Sequence, residues 1–165
     1  MQTSSKSPRA LALVGMPGAG KTLCAQHLQA RGFAHFRFGK IVVDEVVRRG
    51  LPINPENERL IREELRDHEG MNAIAQRALP HLKAALAEHP CLVIDGLYGF
   101  GEYRLLNNEL DGAMIVVAIV SARHLRYERL AQRPERPLTP QEAEARDYRE
   151  IEKLEKGGPI AIADY

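Results

Sequence analysis

The spacing of apolar and polar residues changes period several times along the chain, and each change marks an element. Ala10 to Val14 is a short unbroken apolar run, the pattern of a strand buried on both faces of a parallel sheet. Leu23, Ala25, Leu28 and Ala30 then recur at helical spacing, and Gly32 can close that helix. Phe33 to Phe38 alternates as a second strand ending at Gly39. Ile41 to Val47 mixes apolar and acidic residues at helical period, with a basic last turn at Arg48-Arg49 and a stop at Gly50. After a turn with two prolines, Leu60, Ile61 and Leu65 mark a helix from Glu56 to about His68, broken at Gly70. Met71 to Glu88 repeats the helical period, with Pro80 making either a kink or a new start. Pro90 to Gly96, with four apolar residues ending in an acid, reads as a third strand, Tyr103 to Leu106 opens a helix, and Met114 to Val120, the most apolar run, reads as a central strand. From Ser121 onward the pattern is helical and basic.

Strands separated by helical crossovers in the order β-α-β-α-α-α-β-α-β-α predict a three-layer α/β/α sandwich around a mostly parallel sheet. Ligands in such folds bind at the carboxyl ends of the strands. Residues 10–165 read as one domain preceded by a polar tail, 1–9. Ile160-Ala161-Ile162-Ala163 looks like the approach to a fifth strand that the sequence does not contain, so a five-strand-type sheet is expected to lack its last strand.

The turn between the first strand and the first helix carries the chemistry. Gly15-Met16-Pro17-Gly18-Ala19-Gly20-Lys21-Thr22 fits G-x-x-x-x-G-K-[ST], the Walker A phosphate loop. Nucleotide phosphates are held by backbone N–H groups converging at a helix N-terminus, and glycines let the backbone come close. Gly15, Pro17, Gly18, Ala19, Gly20, Lys21, Thr22 and Leu23 are therefore the nucleotide-binding candidates, with Lys21 reaching the terminal phosphates and Thr22 ligating Mg²⁺. Val93-Ile94-Asp95-Gly96 reads as Walker B: Asp95, at the carboxyl edge of a buried strand, would hold Mg²⁺ directly or through water, or serve as a turn residue. Arg129, Arg133, Arg136 and Arg146 flank a proline-rich stretch and form either a solvated face or a lid closing over a transferring phosphoryl group, about residues 133–146. Arg123 and Arg126 read as solvated surface.

Composition narrows the partners. The formal charge of +1 over 165 residues exerts no global pull toward nucleic acid or anionic membrane. Cys24 and Cys91 read as two buried reduced thiols in a cytoplasmic protein, and the six scattered histidines as surface or capping residues. No apolar run reaches the ~18 residues of a membrane span. Without an Asn-Lys-x-Asp guanine motif the nucleotide is expected to be ATP, and the chain is too short for an AAA+ motor with a helical lid domain. The oligomeric state, monomer or dimer, is open.

Taken with Arg48-Arg49-Gly50-Leu51, Glu64-Leu65-Arg66, Tyr127-Glu128-Arg129-Leu130 and Arg146-Asp147-x-Arg149-Glu150, these motifs resemble nucleoside monophosphate kinase-like P-loop proteins, and in particular adenylate kinase/dephospho-CoA kinase-like ones. The resemblance implies transfer of the ATP γ-phosphoryl group to a small acceptor held by a helical insert, here about residues 40–88, under an arginine lid. It implies catalytic roles for Lys21, Asp95, Arg129, Arg133, Arg136 and Arg146. Gly39-Lys40-Ile41-Val42-Val43 lacks the arginine that usually follows the second strand, and Tyr98 stands where another is common. Lys40, Arg48, Arg62, Arg66 or Arg104 could compensate, because phosphate recognition needs cationic donors at a distance and not at one fixed position. Tyr98 could stack an acceptor base or simply pack. Few carboxylates stand near enough to act as a base toward a hydroxyl, Asp44 and Asp95 alone, which tilts the acceptor toward a phosphate-bearing one, a nucleoside monophosphate first. A dephospho-CoA-like hydroxyl acceptor, or nucleotide binding with regulatory purpose and no transfer, are the alternatives.

Overall fold

The structure, a computed structural model, describes residues 9–97, 99–134 and 137–152. Tyr98, Arg136 and the Ile160 to Ala163 run lie outside the described residues. The elements follow in the order β1 (Ala10–Val14), α1 (Lys21–Gln29), β2 (Ala34–Arg37), α2 (Gly39–Arg48), α3 (Pro55–Glu69) and α4 (Ala73–Glu88). They continue with β3 (Leu92–Asp95), α5 (Phe100–Glu109), β4 (Met114–Ala118), α6 (Arg123–Ala131) and α7 (Pro140–Glu152). All strands are parallel, in the order β2-β3-β1-β4.

That order places β3 directly beside β1, with Leu13 opposite Asp95, so the end of the Walker B strand falls next to the phosphate loop. One sheet face carries the larger core, where Ala12, Val14, Leu92 and Ile94 pack with Val42, Ile61, Leu65, Leu82 and Leu106 of the helices between β2 and β4. The other face is covered by α1, with Leu13, Val93 and Ala25 buried at its centre. Each large aliphatic side chain so buried contributes about 1.5–3 kcal/mol of transfer free energy. The result is the expected three-layer α/β/α arrangement.

Three local expectations change. Among the described residues β4 is an edge strand paired only with β1, and Ile115 and Val117 on one of its faces are exposed. Its apolar run reports β propensity and not position in the sheet. Arg9, assigned to the tail, is anchored: its amide donates to Ala113 O at 2.9 Å and its carbonyl accepts from Leu92 N at 2.8 Å. Its guanidinium also covers the carboxyl end of α4, donating to Leu86 O, His89 O and Pro90 O. Of the two readings of Pro80, a new start is ruled out, since α4 runs through it from Ala73 to Glu88. It sits on the exposed side, where water can take the Gln76 carbonyl that a proline leaves without its helical donor.

The helices from α2 to α4 are tied together by one buried acid. Glu45 accepts from Arg48 Nε and Nη2 at 2.8 and 2.6 Å and from Arg49 Nε at 2.8 Å, with Arg77 Nη1 of α4 at 3.4 Å. Arg49 also pairs with Glu64 of α3, and Arg77 with Glu69. The Arg48 and Arg49 hydrogen bonds hold the Glu45 carboxyl down at about 2.

Candidate functional site

β1 runs into a loop whose shape requires glycine. Gly15, Gly18 and Gly20 have φ of 142°, 80° and 112°. A Cβ at Gly15 would lie 2.4 Å from Ile119 O, and one at Gly18 2.7 Å from Arg126 O, so both approaches depend on the missing side chain. Gly20 caps α1 without any side-chain hydrogen bond, so no capping side chain takes the first-turn amides, which an anion could use.

Lys21 is 8% exposed, and its ammonium donates to Gly15 O at 2.7 Å and Met16 O at 3.2 Å. Burial lowers its pKa from 10.5 to about 8; Asp95 opposes that shift, while Arg146 and Arg133 add to it. The loop, Asp95, Arg146 and Arg133 thus act on one ammonium. Thr22 Oγ1 donates to Asp95 Oδ2 at 3.0 Å. A hydroxyl and a buried carboxylate so placed are the hard oxygen donors that Mg²⁺ prefers, so the residues present fit that ion.

The sequence reading missed three polar groups, two of them at this centre. His35 of β2 brings Nε2 to 3.8 Å from Asp95 Oδ2, and that buried nitrogen finds no hydrogen-bond partner. Scattered histidines give no sequence signal for such a pairing, which arises only because β2 lies beside β3, with His35 opposite Val93 and so on the strand face that Asp95 shares two residues on. Arg126, read as solvated, is 6% exposed: it donates to Pro17 O at 3.0 Å and grips Asp147 of α7 with both Nη atoms, at 2.9 and 2.5 Å. The signal was present, since Arg126 lies four residues before buried Leu130 and shares its helix face. Glu102, buried at the start of α5, accepts from Gly99 N at 3.0 Å and lies 3.7 Å from Arg66 Nη2.

The remaining candidates divide. Arg129 donates to Gly18 O at 3.3 Å, Ala19 O at 3.4 Å and Ser121 Oγ at 3.1 Å, so it sits on the phosphate loop. The lid span is not all loop: its second half, from Pro140, is the start of α7, where Thr139 and Glu142 form a reciprocal cap. Arg146 is half-buried in α7 beside Asp147, and Arg133 follows α6. Lys40 pairs with Asp44 on an exposed face of α2. Arg48 is held by Glu45. Arg62 is half-buried on α3, and Arg66 is 10% exposed with a buried Nε that has no hydrogen-bond partner. Pro17, Ala19 and Leu23 occupy the loop and first helical turn as expected, Leu23 being largely exposed. Cys24 and Cys91 are free thiols, half-buried and not fully so. Among the described residues no helix is long and apolar enough to cross a membrane.

A parallel sheet with a Walker A loop, and an acid at the neighbouring strand end, define a P-loop NTPase fold. The chain belongs to the AAA domain family, whose model matches residues 11–155, and to the UPF0200 proteins. It is 34% identical over 157 residues to a UPF0200 protein of Thermococcus sibiricus, covering 94% of this chain and 83% of that one. It is 34% identical over 125 residues to a UPF0200/UPF0201 protein of Archaeoglobus fulgidus, covering 76% of this chain but only 39% of that protein. A gluconokinase from Sinorhizobium meliloti 1021 superposes with a TM-score of 0.50 at 14% identity, over 86% of this chain and 74% of its own. At that identity the likeness is one of fold.

Proposed function

We propose that this chain is an ATP-dependent small-molecule kinase with residues 10–165 as its catalytic domain. The observation that carries the reading is the convergence of Lys21, Thr22 and Asp95 at a glycine loop. ATP would lie with its β- and γ-phosphates against the Gly18, Gly20, Lys21 and Thr22 amides, the Lys21 ammonium leaving its loop carbonyls for the terminal phosphate. Thr22 and Asp95 would hold Mg²⁺, which would supply charge neutralisation to the phosphates. Arg129, Arg133, Arg136 and Arg146 would meet the charge on the transferring group. The bond from the γ-phosphorus to the bridging oxygen breaks, a bond to an acceptor oxygen forms, and ADP leaves.

The acceptor would sit against the insert, residues 40–88, and we favour a nucleoside monophosphate. Supporting that choice is Arg66, a nearly buried guanidinium with one nitrogen unspent, with Arg62 one turn earlier and Tyr98 and Lys40 as further candidates. Asp44, a possible base toward a hydroxyl acceptor, pairs with Lys40 on an exposed helix face, which disfavours the dephospho-CoA-like alternative. A second reading, nucleotide binding without transfer, draws on the engagement of Lys40 and Arg48 with Asp44 and Glu45, since both were expected to compensate for the missing acceptor arginines. ATP as donor and two free thiols suit the cytoplasm.

Purified protein with ATP and Mg²⁺ should phosphorylate a member of a panel of nucleoside monophosphates, dephospho-CoA and sugar acids, and Lys21→Ala should abolish it. Tight ATP binding with no product from any acceptor would instead establish the second reading.

A further inference from the structure

We infer that Arg126 is a positioning residue for the phosphate loop, forked between the Pro17 carbonyl and the Asp147 carboxylate so that loop shape and α7 placement depend on each other. The inference rests on the donor-site reading above. A trans peptide plane points its C=O and the following N–H in opposite directions. Whatever holds the Pro17 carbonyl outward therefore turns the Gly18 amide inward, and a donor on the Ala19 carbonyl does the same for the Gly20 amide. Arg126 takes the first at 3.0 Å and Arg129 the second at 3.4 Å, while the Ala19 amide is spent on Met16 O within the turn.

Arg126 is not itself a phosphate ligand in this arrangement. Its side chain is 7% exposed and its charge is met by Asp147, itself 7% exposed, through two parallel hydrogen bonds. Such forks fix geometry as well as contribute energy. The loop closes on Arg126 from the other side too, since Gly18 packs against the Arg126 backbone with no room for a Cβ. Tyr127 adds a hydroxyl donor to Asp147 Oδ2 at 3.3 Å. Through Arg126, Asp147 thus joins α7, which carries Arg146, to the loop's carbonyl edge.

The test measures equilibrium binding of Mg·ATP and of tripolyphosphate, with melting temperature alongside, for the wild-type chain, Arg126→Lys, Asp147→Asn and the double variant. Each single change should loosen both ligands about tenfold, the size of one lost charge-assisted hydrogen bond. The double variant should be no weaker than the worse single one, because both cut the same fork. Tyr127→Phe, a gentler change that leaves the ion pair in place, should loosen ATP about two- to threefold. Arg77→Ala, which cuts the distant Glu45 and Glu69 contacts, should lower the melting temperature and leave ATP affinity alone; that separates positioning from general stability. Wild-type affinity in the Arg126, Asp147 and Tyr127 variants, or multiplicative losses in the double one, would overturn the inference. If the wild type binds neither ligand, the donor-site reading fails and takes this inference with it. If it binds both, the variants weaken, and no acceptor is phosphorylated, the inference stands while the transfer reading falls.

Discussion

The Thr22 hydroxyl donates to the Asp95 carboxylate at 3.0 Å, joining the first turn of α1 to the end of the neighbouring strand β3 across 73 positions of sequence. Asp95→Asn keeps that contact's shape and removes its charge. ATP binding in the variant should need at least about tenfold more Mg²⁺ for half-saturation, as expected when a metal site loses its one carboxylate. A magnesium titration monitored by a fluorescent ATP analogue reads this directly, and an unchanged midpoint would remove Asp95 from the metal site.

Lys21 makes nucleotide binding sensitive to alkaline pH. Its pKa of about 8 in the nucleotide-free protein lies below the ordinary 10.5 because the ammonium is buried. Bound phosphates favour the charged form, so binding takes up a proton above that value. ATP affinity should be flat from pH 6.5 to 7.5 and fall by up to about tenfold per unit above pH 8. The stability sign is the opposite: between about 8 and 10.5 the unfolded chain binds more protons at this site, so the lysine's destabilising cost is relieved as pH rises. Calorimetric titrations with wild type and Lys21→Arg should show the affinity loss in the wild type alone.

Gly18→Ala and Gly20→Ala separate close approach from backbone strain. Both positions have positive φ, but only Gly18 has a neighbour, Arg126 O, within reach of a Cβ. Strain alone at Gly20 should cost about 1–3 kcal/mol. Gly18→Ala should cost more and move α6 away from the loop, which denaturant midpoints of the two variants would show. Equal losses would mean that α6 yields easily at that contact.

Glu45 gives the insert an acid-sensitive clamp. Its folded pKa of about 2, held down by the Arg48 and Arg49 hydrogen bonds, lies below the ordinary 4.5, so its stabilisation is fully present above about pH 4.5 and is lost as pH falls toward 2. Glu45→Gln should destabilise the protein by about 1–2 kcal/mol at pH 7, a figure reduced because Arg48 is largely solvent-exposed. Wild-type and variant midpoints should converge in acid, and a difference constant with pH would mean that the loss is one of packing.

Much of the donor site could be read from the sequence because it is local. A strand, a glycine loop and a helix follow one another within residues 10–29, and the loop's chemistry is written in consecutive residues. The position of Asp95 could be read because a buried strand ending in an acid is a short pattern, and the structure sets it beside the phosphate loop. Arg126 was misread because polarity alone suggests solvent, and only α7 folding back on α6 supplies Asp147 as its partner. Lys40 and Arg48 looked available for an acceptor until α2 placed Asp44 and Glu45 one turn away from them.

The sequence by itself determined that this protein alternates buried strands with helices and places a phosphate cradle at the first crossover, because hydrophobic period and glycine conformational freedom act over a few residues. Only the tertiary structure decided that β3 lies beside β1, that His35 faces Asp95, and that two arginines of α6 hold the outer carbonyls of the loop. Those relationships join residues as many as 111 positions apart. They arise from parallel register and helix packing, which depend on the whole chain burying its apolar surface at once.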